Sequence, residues 1–281
     1  MLLKPKLLEW ILIALVAALL ALAVLGPPIT QPADQHAFAD QRMWANIPYA
    51  LDVLSNAAFA LFGILGLVSL TALVRRAAFN TEHALAGLFF TGLIATAAAS
   101  SWYHLQPDDA GLGIDRLGMV VAFASLLGLA VAGRVSRAAG VVMTGLVLLL
   151  GPLSIWFWLA SGNVLPWLVI QFGGMLVILM LAFIKPLPRA GGLTVRWAVV
   201  ICIYAVAKLL ELGDHALYAL TNEFVSGHSL KHLVASLAAW PVIAAIQSAT
   251  QSVRVVASAQ ALADAGNTGR IRATISDSTA F

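Results

Sequence analysis

The sequence predicts an all-α integral membrane protein, a bundle of about eight spans with a small polar site built into one end. Three observations lead there. Of its 281 residues, 61% are hydrophobic and only 10% are charged, whereas soluble domains carry about 25% charged residues. The apolar residues fall into runs of about 20, which at 1.5 Å rise per residue cross a hydrocarbon core of about 30 Å. Most ionisable residues inside those runs gather at a common depth, Lys208 nearer mid-membrane being the clearest exception. Open strands would leave backbone groups unsatisfied in lipid, so runs this long read as helices.

The spans fall at about residues 7–26, 48–74, 84–104, 114–133, 138–160, 164–184, 195–220 and 228–250, joined by short links that mostly contain Pro, Gly, Asn or Asp. Basic residues set the orientation. Lys4 and Lys6 precede the first span, Arg75 and Arg76 follow the second, and Arg134 and Arg137 follow the fourth. Lys185, Arg189 and Arg196 flank the loop after the sixth, and Arg254 and Arg270 follow the eighth. Alternate loops lean acidic or neutral, with Asp34, Asp40, Asp108, Asp109 and Glu223; Arg42, Arg116 and Lys231 are the exceptions. Both termini are therefore expected in the cytoplasm, in a multi-pass protein of the cell inner membrane or plasma membrane, with the polar site near the outer face.

The first span admits two readings. A lysine-bearing start, an apolar run and a later Ala37-Phe38-Ala39 suit a cleaved signal sequence. The apolar core is longer than the roughly 7–15 residues of such signals, which favours an uncleaved helix. The chain then divides into residues 1–39 (first helix and outer loop), 40–252 (membrane domain) and 253–281, a tail rich in Ala, Ser, Thr, Asp and Gly that reads as solvated and disordered. The single cysteine, Cys202, allows no internal disulfide. No basic stripe with interleaved aromatics appears, so a nucleic-acid partner is not expected, and nothing points to a protein partner.

Ionisable residues within spans are costly and usually face a bundle interior or a cavity. Span two carries Asp52, Ser55 and Asn56 at its outer end, span three Ser100, Ser101 and His104, and span four opens with Asp115 and Arg116. Span seven holds Lys208, Glu211, Asp214 and His215, and span eight opens with His228, Lys231 and His232. His228 and His232 are four apart, so their rings share a helix face and can converge on one ion. Ser100 and His104 have the same spacing. The loop with Pro107, Gly111 and Gly113 turns the chain back, which puts His104 beside Asp115. Three histidines with one water form a ligand set of catalytic zinc; a nearby carboxylate can take the water's proton and a serine hydroxyl can support an oxyanion. Lys208 and Glu211, three apart, read as a buried pair that fixes packing. One of Asp214 and His215 can bond a ligand histidine from behind. Asp52, Ser55 and Asn56 either line the site or tie helices two and seven together, the structural reading being favoured. His36 and His83 fit no cluster.

Ser100-x-x-x-His104, then Asp115, then His228-x-x-x-His232 resembles the pattern of the alkaline ceramidase family, part of the CREST group of membrane hydrolases and receptors, and the Ser55-Asn56 pair matches as well. The resemblance runs from about Asp40 to Thr250. It implies a seven-helix core, here preceded by one extra N-terminal helix. It implies zinc held by His104, His228 and His232, with Ser100 and Asp115 beside the zinc-bound water, and hydrolysis of the amide bond of ceramide-like lipids. The family's eukaryotic members carry a calcium site before the first core helix. Asp40, Trp44, Asn46 and Asp52 echo it only loosely, so calcium is not assigned. Short loops and a simple tail look bacterial, which admits another lipid amide or ester as substrate. The partner expected is thus a membrane lipid with an acyl chain. Two other classes stay open on the residues alone: a lipid receptor in which zinc is structural, and a metal or proton transporter working through Glu211, Asp214 and the histidines.

Overall fold

The computed structural model describes residues 5–187 and 191–278; Lys4 and Arg189, used above for orientation, lie outside the described residues. The first helix is α1 (Pro5–Leu25), and α2 runs from Ala50 to Val74 with a break in its ladder at Asn56. Three long helices follow, α3 (Thr81–Leu105), α4 (Asp109–Arg134) and α5 (Arg137–Ser161). Next come α6 (Leu165–Ala182), α7 (Trp197–Leu212) and α8 (Asp214–Leu220). A short 3₁₀ turn separates α9 (Gly227–Ser236) from α10 (Trp240–Ser278). No strand occurs among the described residues, only isolated bridges.

Seven helical segments are long and apolar enough to cross a membrane: α1 to α6, and the α9–α10 unit as far as Ser258. The segment expected as a span at 195–220 is helical but interrupted at Gly213, which parts α7 from α8. The final helix continues through Ser278, into the stretch read from sequence as a tail. Many large apolar side chains point outward, among them Leu61, Val68, Val142, Leu149, Trp156 and Phe183. An apolar outer surface on this scale suits hydrocarbon and not water, and is compatible with a multi-pass membrane protein.

Local sequence explains the helix starts. Asn80 accepts from the Glu82 and His83 amides ahead of α3, Asp108 from Gly111 N ahead of α4, and Ser136 from Ala139 N ahead of α5, each supplying an acceptor to an otherwise unpaired N–H. The central helix is α4, which packs most extensively on α3 and α5. Small residues make that possible: a Cβ on Gly92 would meet the Ala122 backbone nitrogen at 2.3 Å, so only glycine permits this approach of α3 to α4. At the end of the bundle where α3 begins, buried Glu82 accepts from Leu193 N at 2.6 Å and Arg134 donates to Val195 O, which pins the loop before α7. His83 is fully buried there, and Asn80 lies 3.3 Å from its Nε2. The site described next lies at the other end.

Candidate metal centre

Three histidines from distant parts of the chain meet at that end. His104 lies in the last turn of α3, and His228 and His232 lie one turn apart on α9. Their relative exposures are 1%, 7% and 3%, and one ring nitrogen from each lies within 4.8 Å of the others. The Nε2 atoms of His104 and His228 are 3.3 Å apart, and donors on a tetrahedral zinc with bonds of about 2.0–2.1 Å stand about 3.3–3.4 Å apart. The third ring is aimed by Ser55. Its hydroxyl donates to Asp52 O at 3.0 Å, so toward His232 Nδ1 at 2.8 Å it can only accept. The ring proton is thereby held on Nδ1 and the Nε2 lone pair is left for an ion. A closed set of three neutral imidazoles fits a divalent metal of the zinc type. His104 Nδ1 is buried and has no hydrogen-bond partner among the described residues.

The helix carrying two of these rings is fixed at its start. Ser226 accepts from Ser229 N at 3.0 Å, and Asp214 Oδ1 accepts from His228 N at 2.7 Å. Asp52, fully buried, accepts from the Ser229 hydroxyl at 2.6 Å and, more weakly, from that of Ser226 at 3.4 Å. Asn56 donates to Asp52 O at 2.9 Å. Asp52 therefore ties α2 to α9 and Asn56 bonds back within α2, while Ser55, from the same turn, touches the ligand ring itself. Asp214 holds the His228 backbone and not an imidazole, and His215 donates from Nε2 to Ala37 O at 2.8 Å.

That last bond belongs to a strap that crosses the bundle end. Ile29 N donates to Asn163 Oδ1, Arg116 to Gln31 Oε1 at 2.8 Å, and Ala39 N to Asp214 Oδ2 at 2.9 Å. His36 lies 2.8 Å from the Tyr103 hydroxyl. The strap lays Phe38, only 4% exposed, over the cluster, with ring centroids 4.7 Å from His104 and 4.4 Å from His228. Its far side is anchored through Arg42, which pairs with Asp40 at 2.7 Å and donates to Phe224 O at 2.9 Å. Burial alone would raise the Asp40 pKa; the Arg42 side-chain and backbone hydrogen bonds, with the guanidinium charge, outweigh it and leave the carboxyl below its ordinary value. Sequence reasoning saw Ala37-Phe38-Ala39 only as a potential cleavage motif, and no local signal marks Phe38 as a roof.

Beneath the cluster lies a cavity of about 180 Å³. Ser100, Asp115 and His232 share its wall with Lys208, Glu211 and Lys231, and the remainder is mainly apolar. Ser100 faces the Asp115 carboxyl, one oxygen of which is buried with no hydrogen-bond partner among the described residues. Glu211 pairs with Lys208, and also with Lys231 at 2.7 Å, a second partner that the three-residue spacing on α7 could not reveal.

The fold and the site together define a class: a helical, membrane-compatible bundle with a buried three-histidine group able to hold a metal ion. No known protein-family pattern matches the chain, and no curated protein matches it by sequence.

Proposed function

We propose that the chain is a zinc-dependent intramembrane hydrolase that cleaves the amide bond of ceramide-like lipids, releasing a fatty acid and an amine. The observation that carries this reading is that His232, one of a buried three-histidine group, lines a cavity whose wall also bears the Asp115 carboxyl and the Ser100 hydroxyl. The resemblance of these motifs to the alkaline ceramidases supports the same chemistry. Zinc, when bound, supplies Lewis acidity that polarises an amide carbonyl and acidifies water toward a pKa of about 7.

The chain's own residues do the rest. Asp115 accepts the proton of the attacking water and passes it to the nitrogen as the C–N bond breaks. The Ser100 hydroxyl donates to the oxygen that gains charge. Phe38 closes the end of the site away from the cavity, which excludes bulk water, and the apolar part of the cavity takes the acyl chain. In this reading both termini are cytoplasmic, one helix precedes a seven-helix core, and the site lies near the outer face of the membrane.

The test is a lipid-amide hydrolysis assay on detergent-purified, zinc-loaded protein beside Asp115→Asn. Expected are fatty acid release by the wild type, a loss of about 10²- to 10⁴-fold in the variant, and equal zinc content in both. Retained turnover in Asp115→Asn removes it as the base. Stoichiometric zinc with no turnover on any lipid amide or ester overturns the hydrolase reading in favour of a receptor.

A further inference from the structure

The first helix leans on the bundle along one line. α1 packs chiefly on α6, where Leu19 seats against Gly173, and just past its end Leu165 closes on Gly26 in the same way. A Cβ on Gly173 would meet Leu19 at 2.9 Å, and one on Gly26 would meet Leu165 at 2.7 Å. Between α1 and α5 a second cavity remains, of about 520 Å³ against the 180 Å³ beneath the histidines. Leu20 and Ala23 of α1, Val147 and Leu150 of α5 and Val177 of α6 form its walls, and Leu127 of α4 its floor.

Its dimensions select an occupant. The cleft follows α5 from Met143 to Phe157, about 21 Å at 1.5 Å rise per residue. Spread over that length, the volume gives a mean cross-section of about 25 Å². A helix with its side chains is about 10–12 Å wide and needs about 80 Å² or more, so neither a partner's helix nor that of a second copy fits inside. A single hydrocarbon chain touching its neighbours at about 4.0–4.5 Å takes about 20 Å². The cleft is one chain wide.

Its polarity agrees with an amphiphile. No ionisable residue lines it among the described residues, and Ser154 spends its hydroxyl on Gly151 O at 2.7 Å. The free polar group stands at the end nearest the strap. Asn163 accepts at Oδ1 from Ile29 N and Leu165 N, which leaves its Nδ2 group as a donor at the mouth. Leu153, Trp156 and Phe157 line the open side and are exposed, so the cleft faces hydrocarbon in a membrane and stays closed to water.

We infer that this cleft holds one acyl chain of a bilayer phospholipid, with the lipid's ester region at Asn163, as a site separate from the substrate cavity. The inference rests on the membrane reading of the chain and is independent of hydrolysis. A boundary lipid ordinarily lies against one protein face, whereas a chain here is walled by α1, α5 and α6 and gains dispersion contacts on each side. The bound chain fixes α1 against α5. It also steadies the origin of the strap that carries Phe38, because the bond from Ile29 N to Asn163 lies at the mouth.

The experiment is native mass spectrometry of the delipidated, detergent-solubilised full chain titrated with palmitoyl-oleoyl phosphatidylcholine. Expected is a first lipid bound about tenfold or more tighter than those that follow. Ala23→Phe and Leu150→Trp, which fill the cleft from opposite walls, should each abolish that first step. Ala21→Phe, the same enlargement at an exposed α1 position outside the cleft, should keep it. Graded binding with no distinct first lipid overturns the proposal, as does a first lipid kept in either filled variant or lost in Ala21→Phe. A second measurement uses the unaltered protein and phosphatidylcholine bearing a diazirine on one acyl chain. After photolysis, peptide mapping should place the cross-link on cleft residues of α1 and α5; cross-links confined to the cavity beneath the histidines, or to other helices, overturn the site.

Discussion

Replacing Ser55 with alanine removes a single hydroxyl that touches no ligand position, yet metal affinity should fall. The Ser55 proton is committed to Asp52 O at 3.0 Å, so its oxygen accepts from His232 Nδ1–H at 2.8 Å and fixes both the tautomer and the plane of that ring. His232 is 3% exposed, so water cannot readily take over the bond. In Ser55→Ala the ring keeps only its contact with the Asp52 backbone, so its proton is held less firmly on Nδ1 and its plane is freer to turn. Loss of such an outer partner typically costs about 10- to 100-fold in metal affinity, about 1.4–2.8 kcal/mol. The assay is zinc competition against a chromophoric chelator on purified protein, with Ser55→Thr as the control that keeps the hydroxyl. Wild-type affinity in Ser55→Ala would refute the tautomer argument. So would a Ser55→Thr protein as weak as the alanine variant, because packing and not the hydrogen bond would then be responsible.

The remaining expectations concern the ligands, the roof and the strap. The double variant His228→Ala, His232→Ala should contain no zinc by elemental mass spectrometry where the wild type holds about one ion per chain; equal zinc in both would place the metal elsewhere. Phe38→Ala should destabilise the fold by about 3–5 kcal/mol, as large-to-small core changes do, and speed the stripping of zinc by a chelator. An unchanged stripping rate would mean that Phe38 covers nothing. Because the Asp40 carboxyl is held below its ordinary value in the folded chain, it contributes stability above the unfolded pKa of about 4, and that contribution is lost as pH falls through the folded value. Hydrogen exchange at residues 37–42, corrected for intrinsic rates, should therefore rise in acid below about pH 4 in the wild type. In Asp40→Asn it should be raised already at neutral pH, and identical profiles would dismiss the Asp40–Arg42 anchor.

The long apolar helices and the histidine cluster were legible because their signals are local and periodic. Apolar runs mark helices wherever the backbone must satisfy itself, and His228 and His232 at a four-residue spacing share a face on any helix. His104 joined them through depth, inferred from span ends. What sequence left open depends on contacts made across the bundle. Ser55 reaches His232 over 177 positions, and Lys231 reaches Glu211 over 20; no spacing rule connects either pair. Phe38 is one aromatic in a loop, and only the bonds of its neighbours to Asp214 and His215 turn that loop across the rings. Gly213 left no mark either, since its break in the helix is a local backbone event inside a longer helical run.

That break bears on where charge can rest. His228 stands in the first turn of α9, and the start of a helix carries roughly half a positive elementary charge, which repels a cation. A dication held by His228 would sit against that repulsion. Asp214, the first residue of α8 after the break, sets its carboxylate on the His228 amide, and Asp52 sets another on the serines of the same turn. Two carboxyl side chains thus answer the donors of a helix end that would otherwise repel the ion.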